Sequence, residues 1–269
     1  SETVSKNIRD KSKKSKESKS PLVGALQSLY PRRALPVSLT AGFTTTPQKE
    51  LMLTTSLQID SQALETEKQE KTDVEIIGVV IDEEGKQISS FEQSLTIDPS
   101  KMSKAQQRNV IYTRQMPIKP GLYQVRVAAQ DNKRNRVGSN YFWIEIPNEK
   151  EFSLGSLFVG ELYADAPQAV ISVNRRMLQS SRFYVQTEIY NAAAPTDVGL
   201  EMQILRGGKI VKTSPAQKIN KGAVDSPVVP FADAFSLNDF APGGYVLQIK
   251  ATDRISKKTV SRQVDFVVE

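Results

Sequence analysis

No cysteine and no histidine occur among the 269 residues. Without cysteine the chain has no disulfide, no thiolate nucleophile, no zinc–thiolate site and no iron–sulfur cluster. Without histidine it has no imidazole base and no imidazole metal ligand, so Ser-His-Asp and Cys-His catalysis are excluded. A Ser-Lys pair, a carboxylate pair or an all-oxygen calcium site survives that filter, because none of them needs either residue. Tryptophan occurs once, as Trp143. No apolar run approaches the roughly 18 residues of a membrane span, so no membrane-spanning segment is expected.

Charge is unevenly placed. Residues 1–33 hold 9 basic and 3 acidic side chains, which leaves 27 of each sign in residues 34–269. The net +6 therefore belongs to the first 33 residues, and the remainder of the chain is an electrically balanced globular body. Residues 1–20, with KSKKSKESKS from Lys11 to Ser20, have no apolar spacing for a core and read as a disordered basic linker. A basic run without interleaved aromatics implies no specific nucleic-acid partner. The chain begins with Ser1 and shows no charged stretch leading into an apolar one, so it reads as a mature product or a fragment.

After Pro21, Leu22, Leu26 and Leu29 share a face at helical spacing, which predicts a short docking helix over 22–30 within a 21–34 helix and linker region. Pro31 would stop it. From Leu35 the period becomes two. Strands are expected at 35–43, 51–59, 74–81, around Ile88 and Phe91, 110–116, 122–131 and 137–146, with one helical turn at 103–108. Seven short strands in about 110 residues predict an immunoglobulin-like sandwich over 35–147.

A second set comes after the linker 147–152, with strands expected at 154–158, 169–173, 183–190, 199–205, 210–213, 231–236, 245–253 and 259–268. Arg206-Gly207-Gly208-Lys209 supplies a tight hairpin turn. The fold class is thus all-β, two tandem immunoglobulin-like sandwiches at 35–147 and 153–269. The halves are related internally: Pro120-Gly121-Leu122-Tyr123-Gln124-Val125 matches Pro242-Gly243-Gly244-Tyr245-Val246-Leu247 at an offset of 122, and the offset holds from Gln130-Asp131 to Ile146. Each half ends in the same hairpin. Its Tyr predicts a tyrosine corner, and Val125 or Leu247 takes the place of the usual cysteine.

The same alignment makes Phe142, Ile144 and Ile146 core positions and turns Tyr141 and Trp143 outward. An outward aromatic pair marks an interface, or else packs on the linker or the second domain. The two terminal hairpin loops are both basic, with Lys133, Arg134 and Arg136 in one and Arg254, Lys257 and Lys258 in the other. Arg175-Arg176 adds a third basic loop. Such loops fit either an anionic polymer or a solvated tip. Asp82, Glu83 and Glu84 lack the alternating spacing of a calcium loop and read as a turn. No nucleotide, nucleophile-elbow or Ser-x-x-Lys motif occurs in a strand–turn–helix context, so the residues point to no catalytic site, no metal and no cofactor.

Four short segments carry a family resemblance: Pro31-Arg32-Arg33-Ala34-Leu35-Pro36-Val37, residues 120–129, residues 141–147 with Trp143-Ile144-Glu145-Ile146-Pro147, and residues 153–160. Together they resemble the region C-terminal to the von Willebrand factor A domain in secreted bacterial VWFA-related proteins, a group abundant in acidobacterial genomes. The resemblance spans most of 22–269, and its motifs are structural. The metal-adhesion motif of the A domain is absent here, so neither that domain nor its ion carries over. The resemblance implies export, an extracytoplasmic location and a non-catalytic protein-interaction or self-assembly role. A carbohydrate-active or hydrolytic sandwich using carboxylates and a structural subunit of a filament or coat are the alternatives.

Overall fold

A computed structural model describes residues 20–46, 48, 50–64, 71–98, 100, 109–148, 150–162, 169–220 and 228–269. The expected basic linker and the helical turn at 103–108 lie outside the described residues. No described helix is long and apolar enough to cross a membrane. The chain forms two compact units, and their limits differ from the expected ones. One runs up to Ala41 and resumes over Thr54–Ile146; the other comprises Gly42–Leu53 and Pro147–Glu269.

Over residues 21–146, helix α1 (Pro21–Gln27) precedes strands β1 (Val37–Thr45) and β2 (Leu51–Asp60), the short helix α2 (Ser61–Leu64), and then β3 (Thr72–Asp82), β4 (Gln87–Ile97), β5 (Asn109–Pro117), β6 (Gly121–Asp131) and β7 (Arg136–Ile146). The sheets are ordered β1-β2-β5 and β4-β3-β6-β7. Lettered A to G in chain order, that is ABE against DCFG, an immunoglobulin-like wiring. Alternation along each strand makes the core: Val74, Ile76 and Val80 of β3 and Val125 and Val127 of β6 are fully buried or nearly so.

The second unit repeats the wiring. Its strands are β8 (Ser153–Leu154), β9 (Phe158–Leu162), β10 (Val170–Ile171), β11 (Arg176–Met177), β12 (Arg182–Tyr190), β13 (Asp197–Arg206), β14 (Lys209–Thr213), β15 (Gln217–Asn220), β16 (Val228–Ser236), β17 (Gly243–Asp253) and β18 (Lys258–Val268). One sheet is ordered β10-β9-β12-β16 with β8 on β12, and the other β11-β18-β17-β13-β14 with β15 on β13. Strands β11 and β15 are absent from the expected set because the first has only two residues and the second, Gln217–Asn220, has one apolar residue, so neither shows alternation. Met177 is nonetheless 1% exposed, brought there by parallel pairing of β11 with β18. The expected strand at 154–158 is instead split between β8 and β9, where Gly155 N–H turns to the Glu188 carbonyl at 2.7 Å.

Residues 42–53 belong to the second unit because Phe43 and its neighbours bond into it. The Phe43 ring lies 5.9 Å from that of Tyr190, and Arg262 covers it at 5.8 Å. Phe43 N–H donates to Ser156 Oγ and Thr45 N–H to Glu188 Oε2, each at 2.9 Å. Thr45 Oγ1 bonds Tyr190 Oη, which donates to Glu188. No local pattern announces such a contact, since its partners are more than a hundred residues away.

The terminal hairpins match residue for residue. Gly121 pairs Ile146 and Asp131 pairs Arg136, while Gly243 pairs Val268 and Asp253 pairs Lys258, the same register displaced by 122. Gly121 and Gly243 have φ of 151° and 140°, which explains the repeated Pro-Gly. Gly207 and Gly208, at 55° and 79°, form the expected tight turn. The tyrosine corner forms in the second unit: Tyr245 Oη donates to the Ala241 carbonyl at 2.6 Å and accepts from Arg206 at 3.1 Å. Among the described residues Tyr123 makes no such bond. Burial, with the carboxylates of Asp82 and Glu83, pushes its phenol above the ordinary value.

Helix α1 covers the outer face of the β4-β3-β6-β7 sheet, where Leu22, Ala25 and Leu26 pack with Val79, Ile81 and Ala128. The predicted face included Leu29, which is instead 76% exposed. The helix ends three residues earlier than predicted because Ser28 is extended, at φ −64° and ψ 140°, with its hydroxyl bonded at Tyr30. Tyr30 precedes Pro31, where helical backbone is disfavoured. Among the described residues the second unit has no counterpart to α1, and the paired outer positions show why. Ile77 faces Ala128 and Val79 faces Arg126 in the first unit; the equivalent pairs in the second are Glu201 with Lys250 and Gln203 with Gln248. An apolar outer face needs a cover, whereas a polar one is solvated as it stands.

Leu26→Ala should lower the stability of the first unit by about 2–4 kcal/mol in urea melts, because it empties part of a small cluster. Leu29→Ala should change it by less than about 0.5 kcal/mol. Equal effects would refute the observed helix end.

Candidate interaction surface

Beside α1 the sheet face is open. Tyr141 and Trp143 are 41% and 51% exposed, while Ile144 and Ile146 beneath them are buried and Phe142, expected in the core, is only half-buried. Exposure, rather than the expected alternative of packing on the linker, is the outcome for both aromatic side chains. Register places Leu122 opposite Glu145 and Gln124 opposite Trp143, so Leu122, itself exposed, adjoins Trp143 diagonally. Leu29 and Tyr30 leave the end of α1 exposed. Ser28 and Pro31, which bracket them, line a small cleft of about 10 Å³ with Leu26, Arg126 and Tyr141. That volume holds one water at most. The result is a strip of two aliphatic and three aromatic side chains on one unit.

Arg126 stiffens the strip. Its Nε donates to Gln124 Oε1 at 2.6 Å and its Nη1 to the Leu26 carbonyl at 3.4 Å. It thus ties the C-terminal end of α1 to the strand beneath Trp143. A tethered aromatic face loses little conformational entropy on binding, the condition that makes aromatics effective anchors.

The basic loops have another organisation. Asp131 and Asp253, both 0% exposed, end β6 and β17 and reach forward into them. Asp131 Oδ1 accepts from Lys133 N–H and Arg134 N–H; Asp253 Oδ1 accepts from Ile255 N–H and Ser256 N–H. The left-handed residues, Asn135 at φ 51° and Lys257 at 58°, are equivalent too. Arg134 and Arg136 pair with Asp131 at 3.6 and 3.1 Å, and Arg254 pairs with Asp197 at 3.6 Å. Lys133, Lys257 and Lys258 are exposed. Three of the six candidate basic residues are thus committed to carboxylates of their own unit. In the third basic loop, Arg176 is likewise paired with Glu269.

Burial raises the carboxyl of Asp253, but hydrogen bonds from the Ser256 hydroxyl and from the N–H groups of Ala193, Ile255 and Ser256 outweigh it and hold the group below the ordinary value. Sequence reasoning overlooked the role of this residue. Its signal is the Asp that closes both copies of the repeated strand.

Two acidic features remain. Asp82 Oδ1 accepts from Glu84 N–H and Lys86 N–H, so it shapes the β3–β4 turn as expected. On the outer face of β3 and β4 a shallow groove of about 320 Å³ is lined by Glu75, Ile76, Ile77, Glu92, Gln93 and Ser94. Glu75 accepts from Asn132 at 3.1 Å.

No protein-family model matches the chain, and no curated protein matches it. Among solved structures it is similar to a transglutaminase of red sea bream, with 11% identity and a TM-score of 0.29 over 88% of this chain. The chain spans 31% of that protein's length.

Because the folded carboxyl of Asp253 is depressed, its stabilisation is complete above the unfolded value, about 3.9, and is lost as pH falls through the folded value. Asp253→Asn should destabilise the second unit by about 1–3 kcal/mol at pH 7 and make the decline of stability below about pH 4 shallower. A decline as steep as wild type in acid-titrated urea melts would contradict this.

Proposed function

We propose that the chain is a non-catalytic protein-interaction or assembly module, working by surface complementarity through the strip formed by Tyr141, Trp143, Leu122, Leu29 and Tyr30. The observation that carries this reading is the exposure of Trp143 and Tyr141 on a face braced by Arg126. Large aromatics that contribute nothing to their own core cost solubility, and binding is the usual compensation. The resemblance to VWFA-related proteins adds an extracytoplasmic, cell-surface context. An anionic-polymer role for the basic loops has weaker support, since Arg134, Arg136 and Arg254 are already paired.

The double substitution Tyr141→Ser/Trp143→Ser should leave the melting temperature within about 2 °C of wild type, as expected for exposed sites. It should also abolish the set of proteins that co-purifies with the native chain, or its self-association by sedimentation. Lys133→Ala/Lys257→Ala/Lys258→Ala should leave both intact. An unchanged partner set with the aromatic variant, or a large fall in its melting temperature, would defeat the proposal.

A further inference from the structure

The repeated wiring provides an internal comparison of sheet edges. In each unit one strand of the hairpin-bearing sheet ends that sheet: β4 in the first and β14 in the second. Edge strands expose unpaired N–H and C=O groups, and proteins guard them with short length, bulges and lysine. Strand β14 has all three guards. It is 5 residues long, its pairing with β13 shifts register at Ile204/Leu205, and it carries Lys209 and Lys212. Lys212 is moreover held over the rings of Phe235 and Phe240, at 5.3 and 5.2 Å.

Strand β4 shares one of these guards, a register shift against β3 at Val80/Ile81, but lacks the other two. It runs 11 residues, contains no lysine, arginine, proline or glycine, and carries one charge, Glu92. Among the described residues no strand pairs with its outer edge. One carbonyl, that of Ser94, accepts from the side-chain amide of its own neighbour Gln93 at 2.8 Å. The adjoining face is acidic. Register puts Glu92 opposite Ile77 and Glu75 opposite Ser94, so the two carboxylates are diagonal neighbours over the groove, with Asp73 next along β3 on the same face. Glu83 and Glu84 in the turn extend the acidic margin, against Lys86 there and Lys71, which pairs with Asp98.

We infer that the free edge of β4 is a strand-addition site for an extended, lysine-bearing segment of a partner protein. Main-chain hydrogen bonds to β4 would supply affinity, and alternate lysines on the outer face would meet Glu92 and Glu75. A second copy of this chain is the poorer occupant. Antiparallel pairing of β4 with itself would bring like acidic margins together, which costs stability. The site is separate from the aromatic strip, and its test does not depend on that reading.

The probes are a nine-residue peptide alternating lysine with valine and threonine, the same peptide with glutamate for lysine, and the lysine peptide N-methylated at alternate residues. Binding to the full chain is followed by calorimetry and by amide hydrogen exchange. The lysine peptide should bind, should weaken as salt rises, and should slow exchange of the outward-facing amides among residues 87–97 at least tenfold. The glutamate and N-methylated peptides should not bind, and Glu75→Gln/Glu92→Gln should weaken the lysine peptide about tenfold or more. Binding that survives N-methylation, or protection appearing at Tyr141 and Trp143 instead, would overturn strand addition at this edge. The inference also fails if the outward-facing β4 amides, those not bonded to β3, are already protected in the free chain, or if the free chain dimerises through them, because the edge is then already occupied. Loss of the strip's partners without loss of peptide binding would leave this site standing.

Discussion

A buried carboxylate at the far end of the penultimate strand organises each domain. Asp131 and Asp253 bond the N–H groups two and three residues ahead, so each dictates the loop that reverses the chain. The next residue then reaches sideways: Asn132 N–H donates to the Asp73 carbonyl, and Arg254 N–H to that of Asp197. Three strands are thereby joined at one end without a disulfide. A carboxylate with no solvent must have its lone pairs met, and a slipped register would leave it unpaired. That penalty makes one register far better than its neighbours. The aliphatic alternation behind it then falls on the core side.

The opposite end of the same hairpin shows how equivalent positions diverge. Arg206, which donates to Tyr245 Oη, has Asp82 as its counterpart beside Tyr123. A guanidinium reinforces the tyrosine corner in one unit; in the other the counterpart is a carboxylate, which cannot donate, and among the described residues Tyr123 makes no corner bond. Two copies of one plan have therefore been closed by different means. The second ends in a braced aromatic corner, where Phe240, Tyr245 and Phe266 lie 5.4–5.5 Å apart in sequence of contact. The first is closed on the outside by α1.

The outer faces carry the same divergence to the surface. Where Ile77, Val79 and Ala128 make an apolar face, a short helix covers it, and the aromatic strip lies where that cover stops. Where Glu201 opposes Lys250, no cover is needed. The two surfaces proposed for recognition, the strip at the helix margin and the β4 edge, both lie on the first unit. Their origin is unequal side chains on equal backbones.

Much of this is legible in the residues. Strand positions, the repeated hairpin, the tight turn at Gly207-Gly208 and the outward direction of Tyr141 and Trp143 depend on period-two alternation and positive-φ glycine, which are local properties. A subtler signal lies beside them: Thr72-Asp73-Val74 recurs as Thr196-Asp197-Val198, at an offset of 124 against 122 for the hairpin. The change of offset marks a connection shorter by two residues in the second copy. Tertiary structure alone decided that residues 42–53 join the second unit, that α1 stops before Leu29, that two- and four-residue strands pair at all, and that, among the described residues, β4 ends its sheet with no strand beyond it. Each of these depends on partners distant along the chain. The energy of a contact is not written in either partner separately, so no window of sequence contains it.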